Sequence, residues 1–212
     1  MPGRILSVVL ILGFSGSAFG EDKKKEDKPK SDPAGIPLEL TITAKTTKYT
    51  LDTGGLSEAE YKKQIEDAAK AKGKIRLPAT AAVDLTVEIK NTSDKPVKVW
   101  TSGDPVVLTL DLKGKGAVNA DRLGPMTLEF RLPKAVEIEA GKTASIPVKS
   151  LVSGMRGVTH YSFWTEPGEY ELVATLRTGM NPAPKGAKEG MDGFGVVTLT
   201  SAPFKIAVEE KK

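Results

Sequence analysis

The 212-residue chain has no cysteine. This excludes a disulfide framework, a thiolate metal site, a cysteine nucleophile and a lipidated N-terminal cysteine. It has one histidine, His160, so a multi-histidine metal site cannot be assembled. It also has little uncompensated charge: 31 Lys and Arg against 27 Asp and Glu leave a formal net charge of +4. Nucleic-acid binders gather their basic residues into a stripe or patch. Here the basic residues are dispersed among acidic ones, so no nucleic-acid partner is expected and the basic balance bears on solubility. P-loop, dinucleotide and EF-hand patterns are missing, as is a G-x-S-x-G nucleophile elbow. Apart from residues 5–14, no apolar run approaches the ~20 residues that cross a bilayer.

Residues 1–20 read as a signal peptide. Arg4 supplies a positive start, Ile5 to Phe14 an apolar run too short to span a membrane comfortably, and Ala18-Phe19-Gly20 small residues where a signal peptidase cuts. The mature chain is therefore expected to be exported, periplasmic or extracellular, with no membrane span once the signal is removed. Residues 21–35 carry five Lys against five Asp and Glu and no large apolar side chain. Such a segment cannot bury surface and reads as a charged disordered tether.

Residues 36–212 read as one β-sandwich domain with a helical insertion at 57–72. Leu38, Leu40 and Ile42 alternate with polar neighbours, as do Val83, Leu85, Val87 and Ile89, which is the period of half-buried strands. Lys48 to Asp52 reads as a short strand. In the insertion, Ser57 and Glu60 form a capping box, and Leu56 with Tyr61 a hydrophobic staple. Tyr61, Ile65, Ala68 and Ala69 share one face. Glu58 with Lys62 and Glu66 with Lys70 have helical pair spacing, and Gly73 is suited to the C-cap. Further strands are expected at 97–101, 106–112, 128–132, 136–138, 144–148, 159–165, 169–177 and 195–208, the last bent near Pro203. Residues 150–157 read as irregular or briefly helical. Short strands separated by turn signals define an all-β, immunoglobulin-like antiparallel sandwich.

Two residues carry the topology. Gly168 two before Tyr170, at the start of a strand, is the arrangement of a tyrosine corner, and Leu172 takes the position of the second disulfide cysteine in antibody domains. Trp100, after the NTSDKP turn (91–96), matches the buried Trp of strand C. Strands B, C, F and G then fall at 82–90, 97–101, 169–177 and 196–208. The N-T-S-D-K-P turn, the later A-G-K-T segment and W-x-x-P-G-E-Y-E-L together resemble the BsuPI-type proteinase-inhibitor domain over about 83–208, and more broadly small immunoglobulin-like modules of bacterial envelope proteins. The resemblance implies the fold. It carries no inhibitory residue onto a position here, and the helix and the loop at 178–194 depart from the compact inhibitor pattern.

Chemistry is sparse. His160 shares a strand face with Ser162 and Trp164 and could serve as the base of a Ser-His-Asp set; a structural histidine is the plainer reading. Met155, Met180, Met191 and His160 lack the close spacing of copper sites, and Met126 lies apart. No cofactor is expected. Carboxylates are scattered, which leaves a paired-carboxylate glycosidase open on spacing alone. Asn91-Thr-Ser93 is a glycosylation acceptor in a eukaryotic secretory pathway only. The long loop 178–194, with four Gly and two Pro, joins strands F and G beside the 91–96 turn. Met180, Lys185, Lys188, Met191 and Phe194 are its candidate contact residues. The chain reads as a non-catalytic exported module whose partner is a protein or an envelope component. A protease inhibitor acting through an exposed loop is the first alternative, and a hydrolase or metal carrier the second.

Overall fold

The computed structural model describes residues 35–71, 74–124 and 129–211. The segment read as a signal peptide, nearly all of the one read as a tether, Gly73, Met126 and Leu128 lie outside the described residues. In chain order the strands are β1 (Leu38–Ala44), β2 (Lys48–Leu51), β3 (Ala82–Asn91), β4 (Val97–Ser102), β5 (Val107–Lys113), β6 (Ala117–Leu123), β7 (Lys134–Ile138), β8 (Thr143–Ser150), β9 (Val152–Met155), β10 (Val158–Trp164), β11 (Gly168–Asn181), β12 (Lys188–Glu189), β13 (Gly195–Thr200) and β14 (Phe204–Glu210). One helix, α1 (Glu58–Lys70), separates β2 from β3.

The alternating segments form the first sheet, β1-β3-β8, antiparallel throughout. Its inward residues Leu40, Leu85, Val87 and Ile89 are buried while their polar neighbours face outward. In the second sheet β11 is central. One of its edges holds β14 and then β13; the other holds β5 and the tip of β4. Strand B (β3) thus lies in one sheet and strands C, F and G (β4 with β5, β11, β13 with β14) in the other, as the immunoglobulin-like reading requires. After β1 the chain leaves the first sheet, and β2 pairs in parallel with β14.

The two marker residues sit inside. Trp100, Tyr170 and Leu172 are buried. The Tyr170 hydroxyl donates to the Glu166 carbonyl at 2.6 Å, which completes the tyrosine corner. Gly168 supplies the φ of 151° that the strand start needs.

Several expectations need correction. Strand F runs on to Asn181, so the connection to strand G is 182–194. The burial period continues through Thr178 and Met180, but Gly179 and Pro182 give that stretch the look of a turn. Residues 195–208 form two strands, because Pro203 breaks the ladder. Ser201 bridges the gap: its N–H donates to the Ala174 carbonyl at 2.9 Å and its Oγ accepts from the Ala174 N–H at 3.0 Å. Residues 152–155 are strand β9, neither helical nor irregular, and β6 occupies a segment where no strand was expected. Both have poor strand sequences and are held by the ladder of β10 between them, a case of tertiary pairing overriding propensity. Residues 129–132 form no strand.

The helix keeps its capping box on Ser57 and Glu60 and ends at Ala71. Tyr61, Ile65 and Ala68 are its buried face. Glu66 pairs with Lys70 at 3.7 Å, whereas Lys62 reaches Glu166 at 2.9 Å in place of Glu58. The helix packs on β6, where Arg122 donates to the carbonyls of Ala68 (3.0 Å) and Ile75. β9, β10 and β6 continue the second sheet beyond β5, with α1 packed on β6. Beyond the Leu108–Gly154 pair, side chains bridge β5 to this extension. Ser153 Oγ accepts from Leu110 N, Asn119 brackets Leu112 N and O, and Ser162 Oγ donates to Leu110 O at 2.6 Å.

Candidate functional site

The connection between strands F and G is built on Trp100. Opposite Thr178 and Gly179 the C strand loops out by seven residues, 100–106, between the pairs Val99–Met180 and Val107–Arg177. The Trp100 ring lies flat on Gly179, where a Cβ would stand 2.3 Å from the ring. Thr178 Oγ1 donates to the Trp100 carbonyl at 2.6 Å. Phe194 stacks on the other part of the ring system, with centroids 4.8 Å apart. Above this base β12 pairs with β13, Asn181 Nδ2 donates to Gly193 O and Gly190 N donates to Phe194 O. Of the five candidate contact residues, Met180 and Phe194 are buried and belong to this foundation. Lys185, Lys188 and Met191 are exposed on the hairpin.

His160, on β10, reaches carboxylates of both β6 and β5. Its Nδ1 is 2.6 Å from Asp121 and its Nε2 3.3 Å from Asp111. Ser162 Oγ is 3.5 Å from Nε2, but this hydroxyl is fully buried and already engaged with Leu110 O and Asn119 Oδ1. No substrate carbonyl can reach it, so the Ser-His-Asp resemblance does not make a nucleophile. The imidazole is a tie between β10, β6 and β5. His160→Ala is therefore expected to lower stability by about 2 kcal/mol, the cost of leaving charge-assisted hydrogen bonds unmade; a urea midpoint equal to wild type refutes that role. Met180 lies at the end of β11, whereas Asp111 beside His160 stands opposite Val173 in its middle. Among the described residues, no group of three or more His, Asp or Glu is placed to hold a metal.

The carboxylates that depart from their ordinary range serve structure. Arg131 bonds Asp104 at 2.8 Å, with Arg156 beyond, and holds its carboxyl low. Lys62 and Lys115 do the same for Glu166, and Lys149 and Lys45 for Asp84. With folded values below unfolded ones, these groups contribute stability above about pH 4–5, and it is lost as pH falls through the lowered values. The urea midpoint should fall between pH 5 and pH 3, and less steeply in Asp104→Asn; an unchanged acid limb in that variant refutes its share.

Two surface features were not read from the sequence. The first is an open groove of about 710 Å³ between α1, β2, β10 and the segment 78–82, bounded by Tyr49, Tyr61 and Trp164. Burial raises the Tyr49 and Tyr61 phenols above their usual range. The second is an apolar surface. Of the nine large apolar side chains exposed among the described residues, four contribute to it: Leu123, Phe130, Leu132 and Met155. Leu123 stands opposite Val158 and Val158 opposite Met155, so the three share a face. Asp104 holds both Arg131, between Phe130 and Leu132, and Arg156, next to Met155. Val152, opposite Tyr161, faces the other side of the sheet. The amphipathic alternation at 128–132 was the available signal, but it predicted a strand rather than an exposed edge.

No protein-family model matches the chain, and no curated protein matches it. Among solved structures it is similar to the ASH / PapD-like domain of human CEP192 (PapD-like domain 7), at 10% identity over 99% of this chain and 100% of that one. The TM-score of 0.25 adds nothing to the fold assignment, which rests on the strand pairing above. Among the described residues, no helix is long and apolar enough to cross a membrane.

Proposed function

We propose that the chain is a non-catalytic exported binding module that docks a protein partner through the apolar surface around Leu123, Leu132 and Met155. The supporting observation is the row of Leu123, Val158 and Met155 across β6, β10 and β9, exposed at both ends, with Phe130 and Leu132 brought beside it through Asp104. Isolated exposed apolar residues need no explanation, but a contiguous set marks an interaction site. The test is site-specific photo-crosslinking in the producing cell from position 132, with position 39 on β1 as control. One discrete adduct at 132, absent at 39 and weakened about tenfold or more by Met155→Asp, supports the reading. Equal labelling at both positions, or none at 132, overturns it.

A second reading, the protease inhibitor of the BsuPI-type resemblance, is favoured by the F–G hairpin. A stiff base under exposed Lys185 and Lys188 is what a loop must have to enter a protease cleft and resist cleavage. Trypsin-like proteases should form a stoichiometric complex that Lys185→Ala or Lys188→Ala abolishes; rapid cleavage at either lysine excludes it.

A further inference from the structure

We propose that the groove beside α1 is a binding site for a neutral, extended, polyhydroxylated ligand, an oligosaccharide. Its lining contains a single charged residue, Asp52, in a chain where 27% of residues are charged. That carboxylate is already engaged with Lys211 at 3.0 Å and with the Gly54 N–H at 3.0 Å. A phosphate, carboxylate or ammonium ligand would find no free counter-charge in it, so an ionic ligand would lose hydration without compensation.

What the groove offers is neutral hydrogen bonding. Thr50, Thr53, Thr80, Tyr49 and Tyr61 bring hydroxyls and Gln64 an amide, groups that both donate and accept. The Tyr49 hydroxyl points toward the Asp84 backbone, and the Thr80 hydroxyl is buried without a hydrogen bond inside the fold. Tyr49, backed by the buried Trp164 ring with centroids 5.4 Å apart, gives the groove an aromatic wall. Aromatic wall with convergent hydroxyls suits a sugar ring, which has C–H faces and a hydroxyl rim; a purely apolar chain would leave the hydroxyls unpaired.

The ligand is extended because the groove does not stop at Gln64. Gln64, Pro78 and Ala79 also line a second depression of about 490 Å³, which reaches Tyr161 and adds two arginines: Arg122, engaged with the Ala68 and Ile75 carbonyls, and Arg76, exposed. One chain of sugar units can occupy both.

The two tryptophans make the test direct. Trp164 lines the groove, whereas Trp100 lies under the F–G hairpin. Their two indole N–H signals are followed by NMR while the mature protein is titrated with neutral chito-, cello- and malto-oligosaccharides. The expected result is a saturable shift of the Trp164 signal alone, with binding weakened about tenfold in Thr50→Val/Gln64→Ala, two exposed positions. That variant's Trp100 signal reports whether it is folded. Binding should persist in Leu132→Asp, which separates this site from the apolar surface. No Trp164 shift with any of the sugars at ~10 mM overturns the proposal, as does an undiminished shift in the double variant or a shift produced by unstructured peptides and not by sugars.

Discussion

Trp100→Ala should lower the unfolding free energy by about 3–5 kcal/mol and release the F–G hairpin. The ring is 3% exposed. It carries the Phe194 ring on one part and presses on Gly179 with another, and Gly190 approaches it as well. Removing it leaves a cavity under the hairpin, where Trp100 and Phe194 pack together apart from the main core. Trp100→Phe should recover part of the loss. Gly179→Ala attacks the same contact from the other side, because its methyl would meet the ring at 2.3 Å and force repacking that costs about 1–3 kcal/mol. Urea titration measures the stability, and amide exchange at Ala187, Gly190 and Phe194 the hairpin. Unchanged protection at those amides in Trp100→Ala would show that the hairpin holds itself.

Asn91→Asp should destabilise by about 3 kcal/mol at neutral pH although it alters neither shape nor volume. The Asn91 side chain is fully buried. Its amide group donates to the carbonyls of Lys95 (2.7 Å) and Ile138 (2.9 Å), and its oxygen accepts from the Ser93 N–H (2.9 Å) and Ser93 Oγ (2.7 Å). A carboxylate would face two carbonyl oxygens with no hydrogen to offer. The fold would therefore raise the new carboxyl's pKa. The variant's deficit should be smallest below the unfolded value near 4 and grow as pH rises through the raised one. Paired urea titrations at pH 4 and pH 7 read this directly; an equal deficit at both contradicts the assigned hydrogen bonding. The same burial means that Asn91 is not a surface glycosylation acceptor in the folded chain.

What could be read from the residues divides along physical lines. β1 and β3 announce themselves because each buries one face, which writes period two into the sequence. The Ser57–Glu60 capping box and the Gly168–Tyr170 pair are local chemistry and were visible for that reason. β6 and β9 were not, because AVNADRL and VSGM gain their conformation by pairing with β10, which is distant from β6 in the chain and next to β9. Met180 and Phe194 were misplaced onto an exposed rim for a related reason: Gly179 resembles a turn residue until Trp100 is seen to need its missing side chain. Asn91 was read only as part of a turn, since nothing local shows that Ile138 will supply a carbonyl to it. The groove beside α1 draws its walls from β2, α1, the 78–82 segment and β10, and no single stretch contains its pattern.

The parallel pairing of β2 with β14 has a mechanical consequence. Residues 48–51 lie alongside 207–210 in the same direction, near opposite ends of the folded chain. Tension between the N-terminal side of β2 and the C-terminus would slide these strands past each other and load their hydrogen bonds together, not peel them one at a time. β1 precedes this seam and is laddered to β3 over seven residues, so tension from the N-terminal side reaches β2 only once that ladder has borne it.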